Sequence, residues 1–198
     1  FAPWDYNVAT PTQRPLGGSQ SAMCYLAVEL AKQGHDVTTV TGTKQSGVVM
    51  GVECRDITRP VPPIPPGRFD AVVALNAPGH GVDLRPLLPP WTRLILWTQH
   101  ATNQPVMRKL AQPEHRGAWD HILCVSDWQR RGVIDELGCD PARVSVIRNA
   151  IAPAFEGMFA SEAELLEMKA GPPWLAYTST PYRGLQFLAK VFPEYRRV

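Results

Sequence analysis

The sequence contains little that would mark a metal site, a disulfide framework or a membrane span. Its four cysteines are scattered with no C-x-x-C pair, and its five histidines show no spacing suited to zinc. No apolar run approaches the roughly 20 residues that span a bilayer, and no signal peptide is visible at the N-terminus. These absences predict a cytoplasmic protein with free buried thiols and no metal. Contact with a membrane surface stays open.

Charge of either sign is also sparse. The 198 residues carry a formal net charge of +2, and 19% of them are charged. A protein that binds nucleic acid would normally show a basic face, so we expect no nucleic-acid partner. The hydrophobic content of 44% is typical of a globular domain.

Proline, by contrast, is abundant, with 20 residues. Many of them lie in the stretch TRPVPPIPPGR, residues 58–68. Proline lacks the amide donor that helices and central strands need. The stretch therefore predicts a stiff, extended connection, with a docking site for an SH3-like partner as the alternative.

Strand-like apolar runs alternate with helix-like runs along most of the chain. This alternation predicts an α/β fold with a Rossmann-like parallel sheet and helices on both faces. The order of the strands in the sheet is not readable from the sequence. Phe1–Ala2 resembles the tail of a strand, and residues 4–18 form a long predicted loop. The predicted strands are residues 37–41, 51–57, 71–75, 94–98, 122–125 and 144–148.

Two helices of the first 150 residues have clear start and stop signals. The first is predicted to begin near Ser19 or Ser21 and to end at Gly34, and the second to run from Ser126 to about Leu137, before Gly138. Helical spacing predicts a buried face on the first helix made of Met23, Leu26, Ala27, Leu30 and Ala31.

The pattern of alternating strands and helices changes after residue 150. We predict a first domain over residues 1–150 and a linker over residues 151–172, which includes a short polar helix within residues 161–171. From residue 173 to 198 a new strand, turn and helix begin, with the strand at 174–178. The chain thus reads as one domain followed by the start of another.

Ligands of open parallel sheets bind at the carboxyl ends of the strands, and several candidates fall there. Gly17 and Gly18 lead into a helix N-terminus that could hold an anion, although a plain turn is the simpler interpretation. His100 follows a buried strand and could contact substrate or carry a proton. A histidine paired with a nearby carbonyl is the alternative.

Further candidates lie in other loops, and each has a structural alternative. Asn149 could bind a ligand or hold a turn, and Arg183 lies in the first turn of the last predicted helix, where it could bind phosphate. The remaining candidates for substrate binding are Ser126, Trp4, Asp5 and Tyr6. The aromatic side chains among them could equally serve the core.

Three segments together resemble a retaining GT-B glycosyltransferase of the family 4 type. GGSQSAMCYLAVELAKQGHDVTTVTG, residues 17–42, is similar to the family's opening glycine pair, helix and strand. VSDWQRRGVIDELGCDPARVSVIRNAI, residues 125–151, is similar to the end of its first domain. YTSTPYRGLQFL, residues 177–188, resembles the beginning of its second domain.

The resemblance implies that a sugar is transferred from a nucleotide-sugar to an acceptor, with retention at the anomeric carbon and with no metal or other cofactor. It implies that His100 contacts the transferred sugar, while Gly17, Gly18 and Arg183 lie near the phosphates. It also implies that the chain is a fragment, inactive alone, of a two-domain enzyme. The acceptor, whether carbohydrate, lipid-linked or another hydroxyl compound, and the oligomeric state are not readable.

Two other classes of function remain open at this level. The protein could be a non-catalytic module that binds carbohydrate or nucleotide, since a fold does not fix an activity. It could also be a different GT-B enzyme, such as a sugar-nucleotide epimerase or a phosphorylase.

Overall fold

The computed structural model describes residues 4–58, 69–171, 176–177 and 184–195. The chain divides into two compact units, Phe1–Ala152 and Pro153–Val198. Phe1–Ala2, residues 59–68 of the proline run, Arg183 and most of the predicted strand 174–178 lie outside the described residues. The predicted domain boundaries at residues 150 and 172 stay a prediction.

The described part of the first unit contains two sheets. The first has the order β1-β3-β2, with β1 parallel and β2 antiparallel to β3. The second has the order β4-β5-β6-β7, and its neighbouring strands are all parallel. The strands are β1 (Thr38–Thr41), β2 (Gly47–Val49), β3 (Val52–Asp56), β4 (Ala71–Leu75), β5 (Arg93–Thr98), β6 (His121–Cys124) and β7 (Val144–Val146).

Helices connect and cover these strands, which confirms the predicted α/β class. A 3-10 helix, Pro105–Ala111, precedes α4. The helices are α1 (Thr10–Gln13), α2 (Gly18–Lys32), α3 (Gly81–Leu84), α4 (Pro113–Gly117), α5 (Asp127–Asp135), α6 (Glu162–Met168) and α7 (Leu185–Tyr195). α6 and α7 belong to the second unit, and Ser161 caps α6 through a 3.2 Å hydrogen bond to its Oγ. None of the described helices is long and apolar enough to cross a membrane.

Strand β2 is an element that the sequence analysis did not predict. It pairs with β3 through a hairpin in which Val49 faces Val52. The two connecting residues, Met50 and Gly51, both have positive φ, at 50° and 80°. Two-residue hairpin turns need this backbone conformation to match the strand twist. Methionine is an unusual residue for it, so the turn signal is weak.

Helix α2 begins earlier than predicted, and its predicted face is confirmed in part: Ala27 is buried, and Met23 and Ala31 pack against the core. Its N-cap is Gly17, not Ser19 or Ser21. Leu26 is exposed rather than buried. The residues of α2 that are buried are Cys24, Ala27 and Val28.

The predicted end of α2 and the predicted start of α5 are confirmed by glycine and serine residues, while the end of α5 and the predicted loop over residues 4–18 differ from the prediction. Gly34 and Gly138 follow α2 and α5 with φ of 92° and 70°, a conformation that glycine adopts without strain. Ser126 caps α5, but the helix ends at Asp135, before Leu137. The predicted loop over residues 4–18 contains α1.

Each sheet of the first unit has its own apolar core. Leu94 and Leu96 of β5 are fully buried in the core of the four-stranded sheet, on which α5 and the 3-10 helix pack. The second core lies between α2 and the three-stranded sheet. Its buried members are Val8, Cys24, Ala27, Val28, Val52 and Cys54.

Candidate functional site

The carboxyl ends of the four parallel strands meet at one edge of the sheet. Asn76 follows β4 there, and Gln99 follows β5. The backbone N–H of Asn76 donates to the carbonyl of Trp97 at 2.8 Å, and Asn76 Oδ1 accepts from the Gln99 N–H at 2.7 Å. Asn76 has a φ of 55°, a conformation that asparagine tolerates better than most residues. The ends of β4 and β5 are therefore tied together.

Helix α2 and the segment after β7 reach the same edge. Ser19 Oγ lies 3.2 Å from Gln99 Oε1, and Asn149 Nδ2 lies 3.5 Å from the same oxygen. We refer to Ser19, Asn76, Gln99 and Asn149 as the carboxyl-edge cluster. It brings together segments that are up to 130 residues apart in the sequence, since it joins positions 19 and 149.

The glycine pair is placed at this edge by the start of α2. Gly17 is the N-cap in extended conformation and Gly18 is the first helical residue. Since glycine has no side chain to cap the first turn, the N–H groups of that turn face outward with the positive end of the helix dipole. A Cβ on Gly18 would meet no described atom within 4 Å. An oxygen-rich ligand can therefore approach the backbone here.

Trp4 stands beside the glycine pair. A Cβ on Gly17 would lie 3.4 Å from a ring carbon of Trp4 and would collide with the Gln20 side-chain oxygen. The Trp4 side chain is 59% exposed. An exposed indole beside a helix N-terminus is suited to stacking on a sugar ring.

Asp5 and Tyr6, the other two candidates in this segment, hold the backbone in place. Asp5 Oδ1 accepts from the N–H of Lys44 at 2.9 Å. The Tyr6 carbonyl accepts from Thr41 Oγ1 at 2.6 Å, and its ring packs against the smaller core. Burial, with a smaller contribution from Cys24, raises the pKa of Tyr6. Their direct contact with a substrate stays a prediction.

His100 directly follows Gln99, and its backbone is fixed by a buried side chain. Gln129 is 2% exposed, and its Nε2 donates to the carbonyls of His100 at 2.8 Å and Thr98 at 3.1 Å. Gln129 Oε1 accepts from the N–H of Val125 at 2.7 Å. One side chain of α5 thus links the ends of β5 and β6 and determines where the His100 loop lies.

The same loop is also fastened to the C-terminal end of α5, where Glu136 is the C-cap. Thr102 Oγ1 donates to Glu136 Oε2 at 2.8 Å. A Cβ on Gly132 would lie 2.8 Å from Thr102 Cγ2, closer than non-bonded carbon atoms pack. The loop therefore approaches α5 at a point where only glycine fits.

Ser126 and Asn149, two further candidates, have different surroundings. Ser126 Oγ accepts from the N–H of Gln129 at 3.1 Å, which makes it the cap of α5. Asn149 is exposed and belongs to the carboxyl-edge cluster. Before it, Arg148 pairs with Asp127 at 2.8 Å, and this hydrogen bond lowers the pKa of Asp127.

The sequence analysis missed Asn76, Gln99 and Gln129. Gln129 had a local signal, because Ser126-x-x-Gln129 is the pattern of a capping box. Its side chain bonds the N–H of Val125, one residue before the cap. Asn76 ends an apolar run before Ala-Pro-Gly, which also marks a turn. No local signal separates Gln99 from other polar residues after a strand.

The cluster and the adjacent start of α2 offer amides, hydroxyls and free N–H groups, which suit a hydroxyl-rich ligand with an anionic part. No group of three or more histidine, cysteine, aspartate or glutamate residues is placed to hold a metal ion within the described ranges. A separate cavity of about 240 Å³ is lined by residues that include Arg116, Trp119 and Arg143. Trp119 and Arg143 precede β6 and β7, so that cavity lies away from the carboxyl-edge cluster.

Comparison with known families agrees with this arrangement. The family model described as Glycosyltransferase Family 4 matches residues 16–155. The match begins just before the glycine pair and extends past Asn149, so it includes the whole carboxyl-edge cluster. A search of curated proteins found no match. Since the family model covers more than half of the 198 residues, the chain belongs to glycosyltransferase family 4.

Proposed function

We propose that the full-length protein transfers a sugar from a nucleotide-sugar donor to a hydroxyl group of an acceptor, with retention at the anomeric carbon and without a metal ion. The observation that carries this proposal is the meeting of the glycine-led start of α2, the His100 loop and Asn149 at one edge of a family 4 domain. Glycosyl transfer in general follows from the family; the donor, the stereochemistry and the acceptor are what we propose.

The chemistry explains why such a site needs amides and cations. When the bond between sugar and phosphate breaks, negative charge gathers on the departing diphosphate. Preorganised donors that face this charge stabilise the transition state, and the outward N–H groups of Gly18 and its neighbours are donors of this kind. We assign contact with the transferred sugar to His100, and contact with the diphosphate to Arg183.

The direct test is an assay of the full-length protein with UDP-, GDP- and ADP-sugars. We expect release of a nucleoside diphosphate that depends on an added carbohydrate or lipid-linked acceptor. Formation of a new sugar-nucleotide without acceptor would identify an epimerase instead. Unchanged function in folded His100→Ala and Arg183→Ala variants would identify a binding module.

The Gly18→Ala variant is the most direct test of where the site lies. Its new methyl group meets open space in the described structure, so the fold should tolerate it. If the ligand fills that space, kcat/KM should fall by about 100-fold, because a shift of about 1 Å in bound geometry has an effect of this size. The matched control is Gly117→Ala in α4, where an added Cβ also meets no described atom within 4 Å. Equal activity of the two variants would contradict the placement.

A further inference from the structure

The side-chain amide of Gln99 is hydrogen-bonded at one end only. Its Oε1 lies within reach of two donors, Ser19 Oγ at 3.2 Å and Asn149 Nδ2 at 3.5 Å. Its Nε2 is buried and has no hydrogen-bond partner among the residues that the structure describes. In this orientation the oxygen of the amide faces Ser19 and Asn149, and the nitrogen is the end without an acceptor among the described residues.

A second donor in the same state lies two residues earlier. Trp97 is 6% exposed, and its Nε1 likewise lacks a partner within the described residues. Gln99 lies one residue beyond the end of β5, which stops at Thr98, so the two donors lie at the carboxyl end of the same strand. Buried polar groups are nearly always paired in native proteins, so a buried Gln99 N–H donor without a partner among the described residues indicates that an acceptor binds there.

The surrounding groups select the kind of acceptor. The members of the carboxyl-edge cluster are all uncharged, and the nearby Arg148 is already paired with Asp127. A phosphate would need cations for tight binding. A sugar hydroxyl, by contrast, both donates and accepts, which matches amides that offer a donor nitrogen and an acceptor oxygen. Asn149, exposed and joined by the longest of these bonds, is the group that a ligand can displace most easily.

We propose that Gln99 is a sugar-binding residue whose Nε2 donates a hydrogen bond to a hydroxyl oxygen of the substrate. This rests on the proposed glycosyl transfer and adds the group that recognises the sugar. The hydroxyl belongs to the donor sugar or to the acceptor, and both sources supply the same chemistry.

The test uses the ¹⁵N-labelled full-length protein and the side-chain amide signal of Gln99, identified by its loss in Gln99→Ala. The probes are UDP-glucose, GDP-mannose and ADP-glucose, the three matching nucleoside diphosphates, and methyl glycosides as acceptor analogues. We expect the signal to shift with a sugar-containing probe and not with its nucleotide alone. A shift with the nucleotide-sugar places the hydroxyl on the donor, and a shift with the glycoside places it on the acceptor.

Gln99→Glu then replaces the proposed donor by an oxygen that only accepts, and it adds one negative charge, as the control variant Gln33→Glu also does. The variant keeps an oxygen for Ser19 and Asn149 but replaces the N–H groups, so we expect affinity for the shifting probe to fall by about 10- to 100-fold. Gln33→Glu, the same change at the other end of α2, should leave the affinity unchanged. Thermal unfolding of both variants checks the fold, and the more conservative Gln99→Met replaces Gln99→Glu if the latter fails to fold.

The outcomes separate the two proposals. If a sugar probe binds, as shown by shifts elsewhere, while the Gln99 signal stays still, Gln99 is not a sugar-binding residue and the proposed function stands. A shift of equal size with nucleotide alone also overturns the assignment to a hydroxyl. If no sugar probe binds the full-length protein at all, both proposals fail together.

Discussion

The two sheets of the first unit differ in composition and in what they contribute to the site. Among the residues that the structure describes, the four-stranded sheet has only parallel pairs and a core of twelve buried residues. The three-stranded sheet is mixed, ends in a hairpin with Val48 76% exposed, and has six buried residues in its core. The four-stranded sheet holds the ends of the loops in place. The three-stranded sheet packs against α2, whose N-terminus completes the carboxyl-edge cluster.

The site therefore depends on both cores, but more on the larger core than on the smaller one. Gln99, His100 and Asn149 all lie on segments that the larger core holds. Only the Ser19 end of the cluster depends on the smaller one. Damage to the larger core should therefore disturb the fold and the site together, whereas damage to the smaller core should mainly loosen the start of α2.

The largest effect is expected from Leu96→Ala in the larger core, compared with Val28→Ala in the smaller one. Leu96 is 0% exposed and Val28 is 5% exposed. Leu96→Ala should lower the free energy of unfolding by about 2–5 kcal/mol, and Val28→Ala by about 1–3 kcal/mol, because less apolar volume is removed. Urea unfolding gives both values. A greater loss in Val28→Ala would reverse our ranking of the two cores.

The next effect concerns Gln129, which links the larger core to the His100 loop. Gln129→Met preserves the approximate shape but removes the acceptor of the Val125 N–H and the side-chain donor to the carbonyls of Thr98 and His100. We expect a loss of about 1–3 kcal/mol in the free energy of unfolding, together with lower kcat at unchanged fold. Gln33→Met on the exposed end of α2 is the control. If only stability changes and kcat does not, Gln129 has no role in positioning the loop.

A smaller effect tests the close approach of the loop to α5. The methyl group of Gly132→Ala would press on Thr102 Cγ2, and overpacking of this kind costs about 1–3 kcal/mol. Thr102→Ser removes that carbon and keeps the hydroxyl that bonds Glu136. The double variant should therefore recover most of the loss caused by Gly132→Ala. Additive losses in the double-mutant cycle would show that the two residues do not interact.

The smallest effect is expected from the buried thiols, and it appears only in alkaline solution. Burial, with a contribution from Cys54, raises the pKa of Cys24 from 9.0 to about 12, and burial raises that of Cys124 to about 11. Each thiol has a higher pKa in the folded protein than in the unfolded one. The free energy of unfolding is therefore at its full value below pH 9 and falls as the pH rises toward 11–12.

Unfolding by urea between pH 7 and 11 measures this loss. We expect the midpoint to be constant to about pH 9 and to fall above it. Cys24→Ala should reduce the slope of the fall while lowering stability at pH 7. A slope that is identical in the variant would exclude Cys24 as a source of the alkaline instability.

The sequence predicted the elements whose signals are local. The apolar runs at 71–75, 94–98 and 122–125 form β4, β5 and β6 as predicted. Burial on both faces was wrong for β4, because it lies at the edge of the described sheet and Val73 is 50% exposed. Ser126 and the glycines after α2 and α5 also acted as predicted, since caps depend on a few neighbouring backbone groups.

The features that the sequence did not predict depend on contacts between distant segments. Leu26 of α2 is exposed and Cys24 is buried because packing against β3 selects the face, and helical spacing allowed both. The cluster around Gln99 joins residues 19, 99 and 149, a meeting that no spacing in the sequence encodes. The same holds for Gly132. Glycine is required at this position only because the His100 loop packs against α5.

The bond between Gln129 and Val125 has a further consequence for how the site can be observed. The N–H of Val125 is held by a side chain, so its rate of hydrogen exchange reports one contact and not a whole ladder. Trp128, beside Gln129 and 60% exposed, is an optical probe of the same helix turn. Slow exchange at Val125, together with a Trp128 emission that does not change when ligand is added, would show that the loop has its final conformation before ligand binds.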